Sequence, residues 1–145
     1  MFQTGQRYFI DSNVFLYAAG EVSSLKMKAL ETLEKLSQGG AIAVTNTAVI
    51  EEIHFICYRQ TKDVKFCLNF LNDVQKGLGG LLPMTEEVVR VAIQLFERSK
   101  QKVSIKDYYH VASMLVFDIE TIVSFDSDFD RFREIIRIGK CVSDF

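Results

Sequence analysis

Short apolar runs, each ending in a turn or capping residue and each followed by a stretch with helical spacing, constrain this chain more than any other feature. Tyr8-Phe9-Ile10 stops at Asp11-Ser12-Asn13, Ala41 to Val44 stops at Thr45-Asn46-Thr47, and Thr121 to Phe125 stops at Asp126. Runs of this length suit buried strands. Between them lie helical segments: Val14–Ala19; a stretch capped by Ser23-Ser24 and closed by Gly39-Gly40; one from Thr47 to about Gln60; and one from Asp63 to about Gly77. Thr85 opens a further helix through Lys100, and Ser104 another to Phe117. Leu81 to Met84 is expected as a weak edge strand because it contains Pro83. A short helix near Asp128–Arg133 and a last strand near Ile135–Val142 finish the series. Strands alternating with helices predict an α/β fold, a three-layer α/β/α arrangement around a mainly parallel sheet.

The 145 residues, 48% hydrophobic and 25% charged, fit a single domain over 1–145 with a substantial core. That composition excludes a disordered chain, and no apolar run reaches the roughly 18–20 residues of a membrane span. Met1 to Arg7 is polar, so no export signal is expected. Cys57, Cys67 and Cys141 match neither a metal knuckle nor a disulfide framework; they read as core residues of a reduced, cytoplasmic protein. A net charge of −2 gives no general basic surface for nucleic acid, so such a partner would depend on local charge. Charge is locally uneven. Arg98, Lys100, Lys102 and Lys106 form a run without acids, whereas Asp118, Glu120, Asp126, Asp128 and Asp130 form one without cations.

In open α/β sheets ligands bind beyond the carboxyl ends of the strands, which draws attention to acids there. Asp11 ends the first run, where it could also serve as a helix cap. At about 100° per residue, Glu52 falls on the flank of the Val49/Ile53/Ile56 stripe and Glu51 on the opposite side, favouring Glu52 as the inward acid. Asp107 lies inside the apolar stripe of Tyr108, Val111 and Met114, although Ser104-x-x-Asp107 also resembles a capping box. Asp126 ends the last convincing strand. The alternation Asp126, Asp128, Asp130 suggests a calcium loop, but Arg131 and Arg137 occupy the positions that need glycine and glutamate. His54 and His110 read as ordinary helix residues, since no second nitrogen or thiolate ligand stands at metal spacing. Several carboxylates gathered at one sheet edge repel one another unless protons or cations compensate, and an all-oxygen set suits Mg²⁺ or Mn²⁺. Such ions polarise phosphates and activate water.

The four segments Phe9-Ile10-Asp11-Ser12-Asn13-Val14, Thr47-Ala48-Val49-Ile50-Glu51-Glu52-Ile53, Ser104-Ile105-Lys106-Asp107-Tyr108-Tyr109-His110-Val111-Ala112 and Thr121-Ile122-Val123-Ser124-Phe125-Asp126-Ser127-Asp128-Phe129 resemble, in order and spacing, the PIN-domain family. Many of its members are metal-dependent ribonucleases, among them the toxins of VapBC-type toxin–antitoxin pairs. The resemblance covers about Tyr8 to Phe132. It implies a catalytic metal site of Asp11, Glu52, Asp107 and Asp126, with Asp128 as a substitute or helper and with Ser12 and Asn13 orienting the first acid. It also implies an RNA substrate, Mg²⁺ or Mn²⁺ as cofactor, an antitoxin partner where the protein is a toxin, and homodimers. Lys100, Lys102, Lys106, Arg131 and Arg133 would guide the RNA backbone toward the acids.

Other classes fit less well. A PIN module that binds RNA or a protein without cleaving is the alternative, against which the intact acid set speaks. A haloacid dehalogenase-type phosphatase needs a second Asp where Asn13 stands. No glycine-rich phosphate turn supports a nucleotide fold, and no Gly-x-Ser-x-Gly supports a serine hydrolase.

Overall fold

The computed structural model describes residues 2–99 and 103–139. In chain order the elements are β1 (Arg7–Ile10), α1 (Ser12–Ala19), α2 (Ser24–Gln38), β2 (Ile42–Asn46), α3 (Thr47–Thr61), α4 (Val64–Gly77), β3 (Gly80–Leu82), α5 (Glu86–Ser99), α6 (Ile105–Val116), β4 (Thr121–Val123), a 3₁₀ turn (Ser127–Arg131) and β5 (Ile136–Ile138). Side-chain caps set several helix starts. Ser23 accepts from the Lys26 amide, Asn46 from Val49 and Asp63 from Phe66, each satisfying an amide that the first turn leaves unpaired.

All four strand pairings are parallel, in the order β3-β2-β1-β4-β5. The chain therefore steps outward from β1 to β2 to β3, then returns to place β4 on the other side of β1. Right-handed crossovers put the helices of the outward steps on one face and those of the return on the other. The packing agrees: α1 lies on α2 and α3, and α3 on α4, while α5 and α6 pack together. Covered on both faces, Tyr8, Phe9 and Ile10 are all buried, which is why β1 is continuously apolar rather than alternating. The reversal of strand order between β1 and β4 opens a crevice at their carboxyl ends.

The sequence reading of the elements needs local adjustment. β2 runs two residues further than expected, through Asn46, whose side chain faces inward and is fully buried. β3 ends before Pro83, as an edge strand should. β4 ends at Val123, although the Ser124 amide still donates to the Ile138 carbonyl at 2.9 Å, and the expected short helix is the 3₁₀ turn. β5 spans Ile136–Ile138; Val142 and Cys141 lie outside the described residues, as do Lys100 and Lys102. Gly139, at φ 127°, passes so close to the last sheet crossing that a Cβ would stand 2.3 Å from the Ser124 carbonyl oxygen. Only glycine fits there.

Cys57 of α3 and Cys67 of α4 are buried, free thiols, with the Cys67 Sγ 2.8 Å from that of Cys57. Burial, reinforced by the neighbouring thiol, pushes the Cys57 pKa up to about 11, so it stays a protonated core side chain. Among the described residues no helix is long and apolar enough to cross a membrane.

Candidate active site

The acids reach the crevice from four elements. Asp11 leaves the end of β1 and is 6% exposed. Its Oδ1 accepts from the Ser12 amide at 2.8 Å, with the Ser12 hydroxyl at 3.5 Å, and its Oδ2 accepts from the Ser124 hydroxyl at 2.7 Å. The cap and the inward acid are thus one residue. Burial raises the Asp11 pKa to about 6; the Ser124 and Ser12 bonds and Lys106 oppose this, and the Glu52 charge adds to it.

Asp107, 2% exposed on the first turn of α6, is the acid least expected to tolerate its surroundings. The capping-box alternative is not realised, since Ser104 makes no side-chain cap bond and receives the Asp107 amide on its backbone carbonyl at 3.0 Å. Asp107 Oδ2 is buried without a hydrogen-bond partner. Burial raises its pKa to about 7, and the charges of Asp126, Asp11 and Asp128 add to that against Lys106.

Glu52, rather than Glu51, turns inward. Glu51 is exposed, whereas Glu52 is half-buried, with Oε2 buried and unpartnered and Oε1 accepting from the Lys106 ammonium. Asp126 and Asp128 complete the group. Asp126 Oδ1 accepts from the Asp128 amide at 2.9 Å, and one oxygen each of Asp107, Asp126 and Asp128 lie within 4.8 Å of one another. Asp128 is therefore as much part of this three-acid group as Asp126, whereas Asp11 and Glu52 lie outside it, Asp11 acting on Asp107 and Glu52 on Asp11 through their charges.

The donor set suits a divalent cation. It is all oxygen, it holds buried oxygens with nothing to accept from, and its raised pKa values express a charge deficit that a cation would remove.

The expected RNA-guiding residues divide. Lys106 is held on Glu52 at the pocket. Burial alone would lower its pKa, but the Glu52 bond and the Glu52, Asp11 and Asp107 charges hold it above the ordinary lysine value. Arg131 reaches Asp128 at 3.8 Å and also lines, with Arg133, Arg98 and Glu134, a separate small hollow.

Three polar residues of the site escape sequence reasoning. Ser124 links Asp11 to the last strand. It also accepts from the Asn13 side-chain amide at 3.3 Å and from the Asp126 amide at 3.0 Å, so Asn13 acts on Asp11 through it. Asn46 and His110 are the other two. Asn46 donates to His110 Nδ1 at 3.1 Å and to the Ser113 hydroxyl at 3.0 Å, and desolvation lowers the His110 pKa to about 4. His110 is thus a buried, neutral imidazole on α6.

Replacing Ser124 with Ala should raise the Asp11 pKa further. A hydrogen bond to a charged group contributes about 1.5 kcal/mol or more, so an upward move of about one pH unit is expected in an NMR titration of the Asp11 carboxyl. An unchanged midpoint would show that Ser124 does not hold the acid.

Residues 8–135 match the family model described as the PIN domain. Ribonuclease VapC13 of Mycobacterium tuberculosis is 27% identical over 136 residues, covering 90% of this chain and 98% of that protein. Among solved structures, VapBC2 of Rickettsia felis bound to a promoter DNA fragment superposes with a TM-score of 0.75 at 14% identity, covering 92% of this chain and 98% of that one. VapC20 of M. tuberculosis, described as a sarcin-ricin loop cleaving toxin, superposes at 0.69 with 15% identity, covering 88% and 98%. At such identities the superpositions show the fold, and they agree with the parallel sheet and six helices seen here. With its acids gathered at the β1/β4 crevice and the family model matched from β1 almost to β5, the chain belongs to the PIN domain family.

Proposed function

We propose that this protein is a metal-dependent endoribonuclease, the toxin of a toxin–antitoxin pair, acting through Asp11, Glu52, Asp107 and Asp126 with Asp128 as a further ligand. The observation that carries the reading is the buried acid group at the crevice, with Asp107 Oδ2 and Glu52 Oε2 unpartnered and two pKa values raised toward neutrality. Mg²⁺ or Mn²⁺, when bound, would supply Lewis acidity and a water of lowered pKa for attack on the phosphodiester. Asp11 and Asp107 form the floor of the site, and Glu52, Asp126 and Asp128 close it from α3 and the 3₁₀ turn. Ser12, Asn13 and Ser124 keep Asp11 in one orientation. Lys106 and Arg131 are cations at the rim, suited to steering the RNA phosphates; Arg133 stands further off.

VapC relatives named as ribonucleases and solved neighbours that are VapBC complexes support the activity and an antitoxin partner. A homodimer and a cytoplasmic setting belong to the same reading, the latter consistent with two free buried thiols.

The test is cleavage of total RNA with Mg²⁺, Mn²⁺ or chelator, comparing wild type with Asp11→Asn. Fragments are expected only from wild type with metal. RNA binding that persists in chelator, with no products under any metal, would replace this reading with that of a non-cleaving PIN module.

A further inference from the structure

We infer that His110 is a positioning residue for Glu52, its ring fixed by Asn46 so that Nε2–H is the donor for the second Glu52 oxygen when the first is drawn to a cation. The inference rests on the acid-site reading above and adds to it a residue and a proton that the acids alone do not supply.

The chain of hydrogen bonds starts at the first turn of α3. Asn46 Oδ1 accepts from the Val49 amide at 2.9 Å, a backbone donor whose polarity cannot change. The other end of the Asn46 side chain is therefore its NH₂. That group has two hydrogens and two neighbours, the Ser113 hydroxyl at 3.0 Å and His110 Nδ1 at 3.1 Å. Nδ1 must accept. In a neutral imidazole the proton then sits on Nε2.

Nε2–H is buried and has no partner, and neither has Glu52 Oε2. These are two of three such side-chain atoms among the described residues, the third being Asp107 Oδ2. One of the pair is a donor and the other an acceptor, both residues line the cavity between α3 and α6, and the Glu52 charge acts on the His110 ring. Leaving either buried group unsatisfied is costly, so small rotations that join them are favoured. Lys106 holds Glu52 by Oε1. A cation recruiting that oxygen would leave Oε2 to His110. Metal-site carboxylates commonly need such a partner, and losing it weakens metal affinity about 10–100-fold.

Calorimetric titration with Mg²⁺ tests this on the full chain, comparing wild type, His110→Leu and His110→Gln. Glutamine can place an N–H near the Nε2 position; leucine cannot. We expect His110→Leu to bind Mg²⁺ about 10–100-fold more weakly and His110→Gln to recover most of the loss. A purely structural role would not be rescued in this way. Long-range ¹H–¹⁵N correlation on wild type should show the Nε2–H tautomer, and Asn46→Asp, which keeps the α3 cap but cannot donate to Nδ1, should abolish it. An Nδ1–H tautomer in wild type, or a folded His110→Leu or His110→Gln protein that contradicts the expected affinities, would overturn the role of His110. Absence of Mg²⁺ uptake by wild type would instead overturn the acid-site reading along with it.

Discussion

Asp107→Asn is expected to lower RNA cleavage by at least about a thousandfold while making the metal-free protein more heat-stable at pH 8. The first effect follows from removing a central charge from an electrostatic site, where losing one stabilising group commonly costs about 10²–10³ and a metal ligand costs at least as much. The second follows from linkage. The folded protein holds Asp107 at about 7, above its ordinary 3.8, so the folded state binds this proton more tightly than the unfolded state does. Stability from the protonated form is complete below about 3.8 and is lost as pH rises through about 7. By pH 8 the folded protein carries this buried group ionised, a destabilisation that Asn, having no charge to desolvate, relieves. Asn should therefore raise Tm at pH 8, and the gain should shrink as pH falls and vanish near pH 4. Thermal melts in chelator from pH 4 to 8 provide the check. A variant less stable than wild type at pH 8 would show that Asp107 is not the strained charge proposed here.

Divalent-ion uptake should be steeply pH-dependent, the second large effect. Ligand carboxylates bind ionised, so each proton held by Asp11 at about 6 or Asp107 at about 7 must leave when the ion enters. If both must ionise, affinity at pH 5 falls below that at pH 8 by roughly tenfold for Asp11 and a hundredfold for Asp107, about a thousandfold together. Proton release should approach two per ion near pH 5, where both groups are largely protonated, and should fade toward pH 8. Calorimetry in buffers of different ionisation enthalpy measures it directly. Uptake without proton release at pH 5.5 would mean that the ion binds elsewhere.

Much of this arrangement is legible in the sequence, and the reasons are physical. Asp11 and Asp126 announce themselves because a charged residue ends an apolar run, and Asp107 because it sits in a helical stripe where burial is otherwise the rule. Helix arithmetic favours the inward turn of Glu52 without settling it, because Phe55 shares the face of Glu51. What the sequence conceals are contacts that span the chain. Ser124 meets Asp11 across 113 positions and Asn46 meets His110 across 64, and no local pattern records either. Their residue types are also misleading: a serine after a strand reads as a turn, an asparagine before a helix reads as a cap, and Asn46 is a cap with a second function. Lys106 is hidden for a similar reason. Next to Asp107 in a cationic run it reads as a steering charge, but α6 carries it to Glu52 of α3, where it acts first as a counter-ion.

The position of β1 between β2 and β4 has a consequence for how the protein is made. Its two flanking strands are separated by residues 47–120, and the later of them brings Ser124, Asp126 and Asp128. A growing chain can join β1 to β2 early, yet its acid pocket stays unfinished until β4 has emerged from the ribosome. A chain that stops short of β4 carries Asp11 but lacks Ser124, Asp126 and Asp128, so the acid pocket depends on the last join made at β1.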